Sequence, residues 1–186
     1  MDDDLPQSSD RTLNRMVALT VVILSVFMGL ANIKDDNLVQ AMQLAKSDAV
    51  DTWSEYQASR TKLHVAQTAR IEMAMIAGAT PAPAAQAAVA GMDAQIAKYT
   101  AEAPRLRHTA QADEARYDAL NVHDDQFDLS DALISIAVSL AAVAALAESR
   151  PLLGVCWLAG ALGLMFGLAG FAGWSIHPDA LTALLG

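Results

Sequence analysis

Apolar residues gather in three blocks of this chain and thin out between the first and the second. Residues 16–33 contain no charge, residues 131–147 contain only Asp131 at their start, and residues 151–176 again contain none. A spanning helix needs about 20 mainly apolar residues, so each block predicts a transmembrane helix, the middle one lengthened by Phe127 and Leu129. The hydroxyls of Ser135 and Ser139 can bond back to their own helix. Only Glu148, Ser149 and Arg150 separate the second block from the third, a link typical of antiparallel neighbours, with Pro151 where a first helical turn tolerates it. Trp157 and Trp174 fall near the two ends of the third block, at depths that suit an indole at a membrane interface.

The remaining long segment, residues 34–130, is too regular for a linker. From Lys34 to Ala77 it has no Gly or Pro and is rich in Ala, Gln, Met, Leu, Lys and Glu, which predicts one helix continuing out of the first span. Steps of four and three from Leu38 pick out Met42, Ala45, Ala49, Thr52, Tyr56, Ser59, Leu63, Ala66, Arg70, Met73 and Ala77. Most are apolar and many are small, which resembles a coiled-coil seam weakened at Thr52, Ser59 and Arg70. Trp53 flanks that seam and is expected to pack across it. Gly78, Pro81 and Pro83 break the helix, and the chain is expected to turn over residues 78–83 with its tip near Pro81. Residues 84–121 read as helix again, with Met92, Ile96, Tyr99, Leu106 and Leu120 as candidates for the buried side and a kink at Pro104. Both arms are about 65 Å long at 1.5 Å per residue, so the chain returns to where the second span begins. The expected fold class is an all-α membrane protein: three transmembrane helices with a long, coiled-coil-like extramembrane helical hairpin between the first and second. Residues 1–15 form a polar N-terminal tail and 177–186 a C-terminal tail.

Composition agrees. With 54% hydrophobic residues, 18% charged and a net charge of -9, the chain is too apolar for disorder and too acidic for general nucleic-acid binding. The single Cys156 lies inside the third block and reads as a small apolar filler. The acidic start, Met1-Asp-Asp-Asp, lacks the basic region of a secretory signal, so the first span is expected to be a retained anchor. Arg11, Arg15 and Arg150 stand against Lys34, Lys46 and Arg116, a near balance that leans to a cytoplasmic N-terminus and a periplasmic hairpin.

The segment Trp53-Ser-Glu-Tyr56-Gln57-Ala58, followed by Lys62 and placed just after an N-terminal span, resembles the signature of the bacterial membrane proteins grouped as domain of unknown function 4337. Tyr99 and Glu102, then His123 and Phe127 before a paired-span C-terminus, fall where that family's pattern puts them. The resemblance runs from about Leu13 to Ile176. It implies an architecture and a bacterial membrane home, and it supplies no catalytic residues; Pro81, Pro83 and Pro104 depart from the family's unbroken, charge-rich arm.

Several groupings carry candidate chemistry. His123, Asp124, Asp125 and Asp128 gather an imidazole and three carboxylates, and the hairpin would bring Asp35 and Asp36 close; such ligands could hold a divalent cation. The favoured reading is a membrane boundary at a helix start, with no metal and no cofactor. Trp53, Tyr56 and Gln57 are read as a helix interface rather than a ligand pocket. Gly160, Gly163, Gly167 and Gly170 line one face of the third span, where small residues admit a close helix. That helix is either the second span of the same chain or another subunit. His64 and His108 have no evident partner for nucleophilic catalysis, no ionisable group sits within a span, and no phosphate loop or hydrolase motif occurs, which argues against an enzyme and against transport by this chain alone. The leading expectation is a non-enzymatic structural or accessory protein of the bacterial inner membrane. It would be an oligomer-forming anchor with a helical stalk, contacting lipid and either its own copies or a larger membrane complex. The alternative is a subunit of a channel or transport assembly, and the most distant reading is a carboxylate-metal enzyme at His123.

Overall fold

Between Gly29 and Gly78 no residue interrupts a helix, and α1 accordingly runs unbroken over Arg11–Ala77. A computed structural model of the chain describes residues 11–78 and 82–174. Two further helices follow, α2 (Pro83–Leu146) and α3 (Arg150–Ala172), and the described residues include no strand. All three are long and apolar enough to cross a membrane. The expected tip at Pro81, residues 1–10 of the N-terminal tail, the C-terminal tail, and Ser175 and Ile176 of the third expected span lie outside the described residues.

Helix ends follow local chemistry. Gly78 ends α1 with φ 64°, and Pro83 opens α2 in the first turn, where its absent N–H is not needed. Pro104 lies inside α2, which continues past it to Leu146 even though the carbonyl of Thr100 loses its usual helical donor. Glu148 takes φ 48° after α2, with Ser149 N–H reaching the Ala144 carbonyl at 3.0 Å. Ser149 then caps α3 by accepting from Leu152 N–H at 3.5 Å. The C-terminus of α3 closes at Gly173, φ 68°, while Trp174 N–H bonds the Ala169 carbonyl at 3.0 Å; α3 therefore stops at Ala172, before the expected end at Ile176.

The chain forms two compact units. Unit 1 comprises Met1–Ala41 and Ala119–Gly186, so it takes in the start of α1, the end of α2 and all of α3. Its core joins Leu13, Val17 and Leu24 of α1 to Ile134, Ala137, Ala141 and Ala144 of α2 and Leu153 and Cys156 of α3. The glycine face of α3 is filled from within the chain by both other helices. A Cβ at Gly163 would stand 2.7 Å from Ile134 Cγ1 and 3.1 Å from the Ser130 carbonyl oxygen. At Gly167 it would stand 2.6 Å from the Phe27 ring and 2.7 Å from Ser130 Oγ, and at Gly170 2.9 Å from Phe127. At Gly160 the nearest atom, Leu24 Cδ1, would be 3.0 Å away. The Ser130 hydroxyl donates to the Gly163 carbonyl at 2.8 Å, and Trp157 Nε1 donates to Thr20 Oγ1 at 3.0 Å. Ser139 bonds back to the Ser135 carbonyl at 2.8 Å, whereas Ser135 reaches across to Met28 Sδ at 3.8 Å.

Unit 2, Met42–Asp118, pairs the second part of α1 with the first part of α2. On α1 the buried and half-buried positions follow the four-three series, with Asp48 and Trp53 half-buried beside it and Ala69 in the place of exposed Arg70. On α2 the same spacing continues through Ala85, Val89, Met92, Ile96, Tyr99, Ala103, Leu106, Ala110, Asp113 and Tyr117. The helices run antiparallel, since Lys46 meets Tyr117, Thr52 meets Asp113, Lys62 meets Tyr99 and Arg70 pairs with Asp93.

The glycine face sets a test of unit 1. Overpacking costs about 1–3 kcal/mol per site, and at Gly163 the obstacle includes backbone, so Gly163→Leu with Gly167→Leu should lower the unfolding midpoint in detergent sharply. Leu168→Ala, whose side chain is exposed, should leave it nearly unchanged. Equal midpoints for the glycine double variant and the wild type would show that the close approach carries no stability.

Candidate functional site

Two groups of polar residues stand out, one in each unit. In unit 2 the heptad-like spacing puts Trp53 beside the seam rather than in it. Its Nε1 donates to Glu114 at 2.9 Å, and its ring meets Tyr56 edge-on with centroids 5.5 Å apart. Thr52, on the seam, donates to Asp113 at 3.3 Å. Trp53 and Tyr56 thus face α2, while the Gln57 side chain is exposed and its backbone carbonyl accepts from Thr61 Oγ1 at 3.0 Å. A cleft of about 300 Å³ brings Glu55, Ser59 and Lys62 of α1 together with Tyr99, Glu102 and Leu106 of α2. The Lys62 ammonium sits 5.9 Å above the Tyr99 ring and that of Lys98 5.6 Å from it, a cation–π arrangement tying both cations to one phenol. Ser59 is buried and its hydroxyl has no partner, a cost a helix interface accepts only for a small side chain that lets the partner helix close in.

In unit 1 the acidic residues before the second apolar block meet the end of the first. The carboxyls of Asp35 and Asp124 stand close enough for one to donate a hydrogen bond to the other when protonated. Burial first, then the charges of Asp124 and Asp128, push the Asp35 carboxyl up to about 6. Asp124 is also raised, by burial and then by Asp128 and Asp125, and Asp128 by burial and then by Asp125 and Asp131. One oxygen each of Asp35, Asp124 and Asp131 is buried without a hydrogen-bond partner. His123 turns elsewhere: its Nδ1 lies 3.4 Å from Gln126 Oε1, and the fully buried Gln126 donates through Nε2 to the Trp174 carbonyl at 2.7 Å. Among the described residues no group of three or more His, Cys, Asp or Glu has metal-binding geometry, the four candidates His123, Asp124, Asp125 and Asp128 included. The chemistry this cluster supports is proton sharing between carboxyls.

The segments that carry both groups fall within one family match. The family model described as Domain of unknown function (DUF4337) covers residues 13–173. The chain belongs to this family. No curated protein and no solved structure matches it. The DUF4337 match takes in all of the Trp53–Lys62 signature together with Tyr99 and Glu102, and the fold places Glu55, Ala58, Lys62, Tyr99 and Glu102 around the same cleft. The returning seam at Ala85, Ala103, Ala110 and Asp113 escapes a search for bulky residues, and Val89 and Tyr117 also belong to it; its signal is the register, readable by stepping both ways from Tyr99.

The Asp35 proton gives stability a sign. The unfolded carboxyl titrates near 4 and the folded one near 6, so the folded chain binds the proton more tightly and stability falls as pH rises through that window. The unfolding midpoint in detergent should therefore drop between about pH 4.5 and pH 7.5, and Asp35→Asn, which keeps a donor toward Asp124, should raise the midpoint at the upper end and flatten the slope. A slope that survives the substitution intact would remove Asp35 from the account.

Proposed function

We propose that this chain is a non-enzymatic integral membrane protein of the bacterial inner membrane, an oligomer-forming anchor whose extramembrane, coiled-coil-like hairpin contacts further copies of itself. Membrane insertion is supported by the outward apolar side chains of unit 1, among them Leu19, Val22, Ile23, Val26, Leu158 and Leu168, each more than half exposed. They surround a core that is already complete, so a hydrocarbon solvent suits them and water does not. Charge supports an orientation. Arg11, Arg15 and Arg150 mark the end of the three-helix unit at the α2–α3 link, and Asp35, Asp36, Asp124 and Asp128 the other end, which by the positive-inside rule favours a cytoplasmic N-terminus and a periplasmic hairpin.

The observation that carries self-association lies on α1 of unit 2, away from its seam. Leu44, Val50, Val65, Ile71, Met75 and Ile76 are exposed there, the last two to 77% and 80%. Charged residues normally cover the outer face of a helix pair; here, outside the seam and the positions flanking it, α1 of this unit carries Asp51, Glu72 and the displaced Arg70. Basic and acidic residues nearly balance within Met42–Asp118, so copies do not repel.

Native mass measurement in mild detergent should find the wild type as an oligomer and Val65→Glu with Ile71→Glu and Met75→Glu as a smaller species of unchanged helix content. A monomeric wild type, or a triple variant of wild-type size, would defeat the proposal. For orientation, a cysteine at Gln57 should react with an impermeant maleimide applied from the periplasmic side and one at Ser149 should not; the reverse pattern would invert the topology.

A further inference from the structure

Unit 2 contains a second cleft, of about 320 Å³, on a different set of residues from the Tyr99 cleft. Arg60 of α1 and Arg107 and His108 of α2 rim it, and Tyr56, Leu63 and Pro104 form much of its wall. In an antiparallel helix pair the residues flanking the seam face across it, and opposite charges are the stable arrangement there. Unit 2 follows that rule elsewhere: Arg70 pairs with Asp93, and Lys46 shares its cleft with Glu114 and Asp118. Here two arginines, one from each helix, line the same cleft. The cleft lining includes no Asp or Glu, although the chain as a whole carries a net charge of -9, and among the described residues neither arginine pairs with a carboxylate. Each of the other described clefts of this unit carries a carboxylate.

We infer that this cleft binds a small, soluble organic oxyanion, a phosphate or carboxylate with a compact apolar body, between Arg60 and Arg107. A guanidinium presents paired N–H donors that match an oxyanion, and two of them facing one space are relieved of mutual repulsion when an anion bridges them. Tyr56, Leu63 and Pro104 supply an apolar wall that a bare inorganic ion leaves uncovered, and the volume lies at the small end of ligand pockets. Pro104 contributes through what it lacks: in place of a helical N–H it presents ring carbons to the cleft.

Calorimetric titration of the full chain in neutral detergent at fixed ionic strength tests this with phenyl phosphate, inorganic phosphate and benzyl alcohol. Phenyl phosphate should saturate below about 10 mM, more tightly than either other probe. Losing one charge-assisted contact should weaken it about tenfold or more in Arg60→Gln and in Arg107→Gln, with no more than a twofold change in Arg105→Gln, an exposed arginine outside the cleft. Arg107→Glu, which sets a carboxylate against Arg60, should abolish binding while keeping the unfolding midpoint at or above the wild-type value. Absence of saturation, equal loss in Arg105→Gln, benzyl alcohol or inorganic phosphate binding as tightly as phenyl phosphate, or binding seen only with anionic lipid vesicles would each overturn the inference.

Discussion

The close approach of α3 to the other two helices at Gly163 and Gly167 governs unit 1. In hydrocarbon, the solvent proposed for unit 1, an apolar side chain gains nothing by leaving lipid for protein, so helices there associate through packing and hydrogen bonds. Four glycines on one face let the Phe27 and Phe127 rings and the backbone at Ser130 come within contact distance, and the Ser130 hydroxyl finds the Gly163 carbonyl in a dry interface. Phe171 then closes the arrangement by meeting Phe27 and Phe127 edge-on, with centroids 6.1 and 5.2 Å away. The end of α3 is thereby held against Gln126, and burial near it raises the carboxyls of Asp124 and Asp128 above the usual range. Proton sharing at Asp35 follows from helix packing, with no dedicated ligand set.

Unit 2 solves a different problem, because its two helices have only each other. Small seam residues, Ala45, Ala49, Ser59, Ala66, Ala103 and Ala110, bring the axes close but bury little apolar area per turn. Polar contacts across the flanks, Trp53 to Glu114 and Lys46 over Tyr117, fix register and direction more than they add stability, being largely exposed. Such a pair is a surface as much as a core. Exposed Val65, Ile71 and Met75 on one helix, and Arg60 and Arg107 flanking the seam with no carboxylate partner among the described residues, are the features this thin construction leaves open to other molecules.

Much of this was legible in the chain. Three apolar blocks, uncharged but for Asp131, marked the apolar helices, the lack of any Gly or Pro from Lys34 to Ala77 favoured one continuous helix, and the breakers at 78–83 separated it from the next, because these depend on local hydrogen bonding and hydrophobicity alone. The outgoing seam was readable for the same reason, and so was the meeting of Asp35 with the His123–Asp128 segment, since arms of equal length return to their origin. Tertiary structure alone decided what each polar group faces. It turned His123 to Gln126, gave the glycine face to Phe27, Ser130, Ile134 and Phe127 of the same chain, and selected, among the alanines of the returning arm, those in register with Tyr99. Alanine favours helix equally on either face, and a carboxylate or guanidinium has no partner until two distant segments are brought together; spacing along the chain carries the first kind of information, and only packing creates the second.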